Sequence, residues 1–177
     1  MRLFIGIGLP VSLAETLAHA AHTLIKANER GRIRWTPPEN LHLTLSFLGQ
    51  VEPARLDGIE QALATLRSPA FHLEIDGAGV FPNAGILYAQ VKPAPALLSF
   101  AEQVFRAMET CGFTREPRPY APHITLARTK GRVRLPARLP ENPAFHQRFE
   151  AREFRLYESL TLPQGAQYRV LRAFAFS

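Results

Sequence analysis

The stretch NLHLTLSFLG, residues 40–49, determines how this chain is interpreted. Leucines at every second position predict a strand that buries one face, because side chains alternate between the two faces of a strand. His42 and Thr44 then share the opposite face. A titratable ring in the middle of a half-buried strand indicates a functional role, since an aliphatic residue would pack there without the cost of burying a polar group.

A second copy of this pattern occurs in PHITLAR, residues 122–128. Both copies read His, an aliphatic residue, Thr, Leu, and His123 and Thr125 share the face opposite to Ile124 and Leu126. With average residue usage, two such strings among six histidines arise by chance with a probability on the order of one in ten thousand. We therefore predict that the two strands form two halves of one active site.

The paired histidines and threonines suit acid–base chemistry on a phosphate. Hydrolysis of a cyclic phosphodiester needs one group to take a proton from water and another to protonate the departing ribose oxygen, and imidazole can do either near neutral pH. The hydroxyls of Thr44 and Thr125 can donate hydrogen bonds to the non-bridging oxygens, where charge builds up. No metal or cofactor is predicted, because neither motif has a neighbouring Cys cluster, HExxH pattern or carboxylate.

The other histidines and the cysteine are not predicted to take part in this chemistry. His19 and His22 lie one helical turn apart but have no carboxylate or cysteine companion, so we predict surface positions for them and for His72 and His146. Cys111 is the only cysteine, which excludes an internal disulfide and suits a reducing cytoplasm.

The composition favours one soluble domain with an anionic partner. The chain has 177 residues, of which 46% are hydrophobic and 20% charged. No apolar run reaches the roughly 20 residues that span a membrane, and the apolar start stops at Pro10, so no signal peptide is predicted. The formal net charge of +6 favours a nucleotide or RNA partner. The excess of arginine over lysine is explained equally well by phosphate binding or by a general compositional preference.

Hydrophobic periodicity places three helices among strands. The helices are predicted from an N-cap at Ser12 to about Asn28, from Pro53 to Leu66, and over residues 96–110. The order of strand, helix and histidine strand occurs twice, and the class predicted is α+β with a largely antiparallel sheet. Strands are predicted at residues 2–8, 32–36, 41–48, 71–81, 86–91, 122–128, 152–160 and 166–176, with a connecting loop at 131–143.

Four segments in this order extend the pattern beyond the two motifs: FIGIGLP, WTPPENLHLTLSFLGQV, RPYAPHITLAR and LYESLTLPQGAQYRVL. With them the chain resembles the two-histidine (2H) phosphoesterase superfamily, and within it the RNA 2′,3′-cyclic phosphodiesterases of the LigT or ThpR family, once called 2′-5′ RNA ligases. The resemblance implies a single bilobal domain over residues 1–177, with two mainly antiparallel sheets related by a pseudo-twofold axis, flanked by helices, around a central active-site cleft.

The same resemblance implies a reaction and a set of roles. The reaction is metal-independent hydrolysis of a 2′,3′-cyclic phosphate to a 2′-phosphate, with 2′-5′ ligation as the reverse reaction. His42 would be the general acid and His123 the general base, with Thr44 and Thr125 holding the phosphate. The near symmetry of such a site leaves the opposite assignment of acid and base open.

Four further residues have two interpretations each. Strict alternation places Arg128 on the buried face, so either the strand ends there or a bulge turns the side chain toward the site. Its guanidinium group either contacts phosphate or RNA, or forms a structural salt bridge. Trp35 stacks a base or packs in the core. Phe4 lines the cleft wall or packs in the core, and Tyr120 borders the pocket or packs in the core.

The substrate predicted is an RNA end or nucleotide that bears a 2′,3′-cyclic phosphate. We expect no membrane partner, a cytoplasmic location and a monomer. The competing interpretation is a non-catalytic module that binds RNA or nucleotides in the same cleft. The two matched His–Thr sets disfavour it, because binding alone does not need two proton-transfer groups.

Overall fold

The computed structural model describes residues 1–25, 33–129, 135–136, 139–163 and 165–177. These residues form nine strands and three α-helices, and the strand pairs are all antiparallel, which confirms the predicted α+β class. The strands are β1 (Arg2–Gly8), β2 (Ile33–Trp35), β3 (His42–Gln50), β4 (Phe71–Phe81), β5 (Ile86–Val91), β6 (His123–Thr129), β7 (His146–Ala151), β8 (Glu153–Leu162) and β9 (Gly165–Ala175), and the helices are α1 (Val11–Ala21), α2 (Leu56–Ala64) and α3 (Pro95–Thr110).

The strands form one sheet made of two four-stranded halves. Their order is β7-β4-β5-β6-β3-β1-β8-β9, with β2 added beside β6. The halves meet at the two histidine strands, which pair at a single register position, Leu43 with Ile124. The resemblance implies two mainly antiparallel sheets, and the structure joins the two halves into one sheet at this one point. A join of one pair lets each half keep its own twist, which accounts for the two-lobed pattern expected from the resemblance.

The helices cover one face of this sheet. Leu43 and Ile124 are fully buried on that side with apolar residues of α1, α2 and α3. On the opposite side the histidines and threonines of β3 and β6 are half-buried. We call this side, which carries His42, Thr44, His123 and Thr125, the open face. The period-two alternation read from the sequence therefore separates core from open face as predicted.

The first helix differs from its predicted bounds. It begins directly after Pro10, and Ser12 lies inside it without capping, so the predicted N-cap at Ser12 is wrong. Pro10 explains the early start, because it has no backbone N–H to leave unsatisfied and its φ is fixed. The helix ends at Ala21 and continues as a 3-10 turn, His22–Leu24. The predicted end near Asn28 lies outside the described residues.

Other boundaries agree more closely, with one strand missed. A 3-10 turn at Pro53–Arg55 precedes α2, and Gly112 follows α3 with a left-handed φ of 83°, a conformation that favours glycine after a helix. Strand β7 was not predicted. Its sequence HQRFEA buries only Phe149 and Ala151, and as an edge strand beside β4 it carries polar side chains that hide the alternation.

Candidate active site

The single pair between the two halves of the sheet brings the four motif residues together. His42 and Thr44 flank Leu43, and His123 and Thr125 flank its partner in β6. Because the two strands are antiparallel, the histidine of each strand lies beside the threonine of the other. The structure thus places both predicted His–Thr sets around one point of the open face, in a pseudo-twofold arrangement.

Both imidazoles are fixed by a backbone carbonyl two residues earlier. His42 Nδ1 lies 2.7 Å from the oxygen of Asn40, and His123 Nδ1 lies 2.8 Å from that of Ala121. Since a carbonyl can only accept, each Nδ1 carries a proton, and each neutral ring keeps its lone pair on Nε2. The hydroxyl of Thr44 lies 2.9 Å from His42 Nε2 and donates to it in the neutral form. Nε2 is therefore the atom that can exchange a proton with a ligand.

Three aromatic rings surround His42. The ring of Phe4 is 4.7 Å away between centroids, that of Tyr168 stands edge-on at 5.2 Å, and that of Tyr157 lies at 5.9 Å. Phe4 is almost fully buried and stacks on Tyr157 at 4.8 Å. Phe4 is therefore buried beside the imidazole on the open face, outside the helix-covered core.

This enclosure changes the proton affinity of His42. Burial disfavours the charged ring and is the main cause that lowers its pKa to about 4. The hydrogen bond to the Asn40 carbonyl opposes the shift, and the positive charges of His123 and Arg128 add to it. At neutral pH the unliganded protein therefore holds His42 as a neutral imidazole.

Glycines of β1 make room for this arrangement. A Cβ on Gly6 would lie 2.8 Å from a backbone oxygen of β3 and 3.3 Å from Cδ2 of His42. A Cβ on Gly8 would lie 2.8 Å from Nη1 of Arg155 and 3.1 Å from the hydroxyl of Tyr157. The glycines in FIGIGLP therefore permit close approach of the histidine strand and of β8, the role that glycine inside a strand often has.

Asn40, two residues before His42, is a structural part of the site for which the sequence predicts no role. It is one of the few buried polar residues, with 6% of its surface exposed. Its Nδ2 donates to the Ala166 carbonyl at 2.7 Å, and its Oδ1 accepts from the Tyr168 N–H at 3.4 Å. Asn40 thus connects the carbonyl that holds His42 to the start of β9, the strand that carries Tyr168.

The surroundings of His123 are more open. Phe81 stands edge-on to it at 5.1 Å and Tyr88 at 5.6 Å, and these two rings stack on each other at 4.1 Å. Both rings come from the β4–β5 hairpin of the other half of the sheet. The aromatic support of the histidine is thus repeated in the second half, with two rings in place of three.

A bulge in β6 settles the direction of Arg128. Opposite β5 the register passes from Thr125 to Ala127, so Leu126 is the extra residue. Leu126 and Ala127 are both buried, and Arg128 becomes exposed. Of the two predicted alternatives, strand end or bulge, the structure shows the bulge. Arg128 thereby joins the open face, where its charge acts on His42 and on Tyr168.

Arg128 faces a second arginine. Its register partner on β2 is Arg34, whose neighbours Ile33 and Trp35 pack toward the core. Within the described residues neither arginine has an ion pair with a carboxylate. Like charges directly opposite on neighbouring strands repel each other, so this end of the site favours an anionic ligand.

Trp35 and Tyr120 both make contacts within the protein. Trp35 stacks on His22 at 4.0 Å and packs against the core, on the helix-covered side. These contacts agree with the core alternative for Trp35, and base stacking by this half-buried ring stays a prediction. Tyr120 donates its hydroxyl to the Thr44 carbonyl at 2.9 Å and contacts Phe105 of α3; burial raises its pKa. This hydrogen bond holds Tyr120 against β3.

The remaining candidates do not form a second site. His146 lies at the edge of the sheet, 3.5 Å from a carboxylate oxygen of Asp76. Across the described ranges no three His, Cys, Asp or Glu residues are grouped as metal ligands would be. No helix in the same part of the chain is long and apolar enough to cross a membrane.

A two-halved antiparallel sheet with paired histidine strands at its centre defines a phosphoesterase of the LigT type. The chain belongs to the LigT-like phosphoesterase family, whose model matches residues 7–88 and 90–168. This finding confirms the family inferred from the sequence.

Relatives and solved structures cover almost the whole chain. An RNA 2′,3′-cyclic phosphodiesterase of Archaeoglobus fulgidus is 31% identical, covering 98% of this chain and 99% of the relative. One from Escherichia coli is 30% identical, covering 99% and 97%. The crystal structure of E. coli LigT complexed with 3′-AMP superposes with a TM-score of 0.85 at 29% identity, over 99% of this chain and 98% of that one.

Proposed function

We propose that this chain hydrolyses RNA or nucleotide 2′,3′-cyclic phosphates to 2′-phosphates. The two relatives named above, similar over nearly their full length, are RNA 2′,3′-cyclic phosphodiesterases. The observation that carries the proposal is the pair of imidazoles on one face, each held by a carbonyl at Nδ1 and each left with Nε2 for proton transfer. Hydrolysis of a cyclic diester needs two such groups.

The proposed reaction is a single displacement at phosphorus. Water attacks the phosphorus while His123 Nε2 takes its proton. The bond from phosphorus to O3′ breaks, and His42 Nε2–H gives its proton to O3′. The products are a 2′-phosphate and a 3′-hydroxyl, with one proton gained by His123 and one lost by His42. Thr44 and Thr125 donate hydrogen bonds to the non-bridging oxygens.

The proposed acid role sets a condition on His42. With a pKa of about 4 the ring is neutral before substrate binds, and in that state its Nε2 accepts from Thr44. A phosphate anion within about 4–6 Å favours the charged ring and raises its pKa. We therefore propose that His42 takes up its proton as the anionic substrate binds, while Thr44 turns its hydroxyl to the phosphate.

Further parts of the proposal concern the whole protein. Both histidines come from one chain and one continuous sheet, which supports one bilobal domain over residues 1–177 acting as a monomer. Cys111 is a free thiol, which suits the cytoplasm. We propose that turnover needs no metal. Ligation in the 2′-5′ direction is the same displacement reversed, with a 5′-hydroxyl in place of the water, and we propose it only as a side activity.

Phosphorus NMR with adenosine 2′,3′-cyclic monophosphate tests this function. With EDTA present, we expect the wild-type protein to form the 2′-phosphate and the His42→Ala and His123→Ala variants to form almost none. A 3′-phosphate product would reverse the leaving oxygen and with it the basis for His42 as the acid. Binding of the nucleotide by all three proteins without any turnover would establish the binding module instead.

A further inference from the structure

Exposed apolar side chains mark one part of the open face. Among the described residues, four large apolar side chains are exposed: Val11, Phe47, Leu98 and Val170. Val11 and Leu98 lie on helices, whereas Phe47 and Val170, with 57% and 44% of their surfaces exposed, lie on strands of the β3-β1-β8-β9 half of the sheet. Single exposed apolar side chains are common on proteins, so what distinguishes Phe47 is its position beside a reactive centre.

Phe47 lies close to the reacting histidine. The centroid of its ring lies 6.0 Å from that of Phe4, and the ring of Phe4 lies 4.7 Å from that of His42. Only the ring of Phe4 therefore separates the exposed ring of Phe47 from the imidazole. Val170 pairs in register with Tyr157, which also stacks on Phe4. Phe47 and Val170 therefore share the open face with His42 and extend it outward from the site.

The charge around these side chains is positive. Arg2 lies on the open-face side of β1 and, within the described residues, has no ion pair. Its charge acts on the hydroxyl of Tyr168, as does that of Arg128. The carboxylate of Glu158, the register partner of Leu3 on β8, is already paired with Arg169 at 2.5 Å. An exposed ring bordered by free guanidinium groups is the combination that binds single-stranded RNA, with bases on rings and phosphates on arginines.

We propose that Phe47 stacks the base of the nucleotide that precedes the cyclic end and that Arg2 contacts its phosphate. This inference rests on the proposed function and names its substrate class: an RNA strand of two or more nucleotides, bound across the β3-β1-β8-β9 half of the sheet. The terminal nucleotide occupies the ring cluster at His42, and Phe47 lies one ring farther out. Stacking on Phe47 is therefore available to an RNA strand but not to a cyclic mononucleotide.

The test compares two substrates that share one reacting group. One is adenosine 2′,3′-cyclic monophosphate, and the other is a trinucleotide that ends in the same cyclic adenosine. We expect Phe47→Ala to lower kcat/KM for the trinucleotide roughly tenfold, the scale of one lost base–ring stack, and to leave the mononucleotide unchanged within about twofold. Phe47→Trp should keep the preference for the strand. Leu98→Ala removes an exposed apolar side chain from α3 and should change neither value.

Arg2 gives a second, electrostatic readout. Arg2→Gln should lower kcat/KM for the trinucleotide only, and it should flatten the dependence of that value on salt, because one phosphate contact is lost. An equal salt dependence in Arg2→Gln and wild type would contradict the phosphate contact.

Two outcomes would overturn the inference about Phe47. Equal losses on both substrates would mean that Phe47 supports the terminal nucleotide or the geometry of His42, and no loss on either would mean that the ring has no RNA contact. Wild-type turnover of the mononucleotide tests the proposed function separately. If neither substrate is hydrolysed, the proposed function fails. Fluorescence anisotropy of the labelled trinucleotide with wild type and Phe47→Ala then tests base stacking on Phe47 by itself.

Discussion

The two histidine strands are alike in sequence and local geometry but differ in their surroundings. His42 and His123 are each held at Nδ1 by a carbonyl two residues earlier. Three rings enclose His42, and the carbonyl that holds it belongs to buried Asn40, whereas His123 has two rings and is held by the carbonyl of Ala121. The motif therefore fixes the orientation of both rings, and the packing around His42 lowers the pKa of that imidazole.

Removal of either imidazole has the largest expected effect. We expect His42→Ala and His123→Ala each to lower kcat by about a thousandfold or more, because each proton transfer contributes roughly 10²–10⁴. The double variant should be scarcely slower than either single one, since the two residues act as a unit. Steady-state hydrolysis of a cyclic mononucleotide measures this. Retention of a tenth of the wild-type rate by either variant would show that the two halves of the site are not both required.

Loss of the Asn40 side chain should affect only the His42 half. Asn40→Ala removes the bonds to the backbone of Ala166 and Tyr168. We expect a 10- to 100-fold lower kcat/KM, since small displacements of a catalytic group have effects of this size. Asn142→Ala is the matched control, because that asparagine caps the turn at residues 143–145, away from the site. It should lower stability and leave kcat/KM unchanged. An equal effect of both changes on activity would contradict a positioning role.

The pH dependence of kcat/KM tests separately the rings that surround His42 and those that surround His123. Because His42 as general acid must carry a proton, its lowered pKa places the alkaline limb of kcat/KM near pH 4 rather than near the ordinary value of about 6.5. Tyr168→Ala uncovers His42 and should move this limb upward by about one pH unit, as burial is the main cause of the shift. Tyr88→Ala uncovers His123 in the other half and should leave this limb in place. A limb that stays near pH 4 in Tyr168→Ala would contradict the role of ring enclosure.

The smallest expected effect is on stability. As pH falls from about 6.5 toward 4, unfolded chains protonate His42 before folded ones do, so the wild type loses stability over this window. The loss by pH 4.5 should be about 1–2 kcal/mol, discounted for the partial exposure of the ring. His42→Gln should lack this part of the decline, and His72→Gln, an exposed position, should retain it. Urea unfolding at pH 7 and pH 4.5 measures the difference; identical declines would contradict it.

The residues that sequence predicts best are those with a local signal. Alternation along NLHLTL and HITLA predicts which side chains face the core, and the structure follows it at Leu43 and Ile124. The duplicated His–Thr pattern likewise predicted that two distant strands meet. These features depend on period two within one strand, so a single sequence contains them.

The residues that sequence did not predict depend on contacts between distant strands. Asn40 and Gly8 act through β9 and β8, and no local pattern reveals which strands lie there. For Arg128 the sequence leaves two alternatives, a strand end or a bulge, because register opposite β5 is not encoded locally. Trp35 was ambiguous for the same reason, because its partner His22 lies in the preceding helical segment.

The most direct test of opposite roles for the two histidines is leaving-group dependence. In 3′-deoxyadenosine 2′-(4-nitrophenyl phosphate) the 4-nitrophenolate leaves without needing a proton, and the missing 3′-hydroxyl prevents cyclisation. With wild type as reference, we predict that His42→Ala regains most of its activity on this substrate relative to the cyclic phosphate, whereas His123→Ala stays inactive on both. Recovery by His123→Ala and not by His42→Ala would reverse the acid and base, and recovery by neither would contradict two-histidine acid–base catalysis.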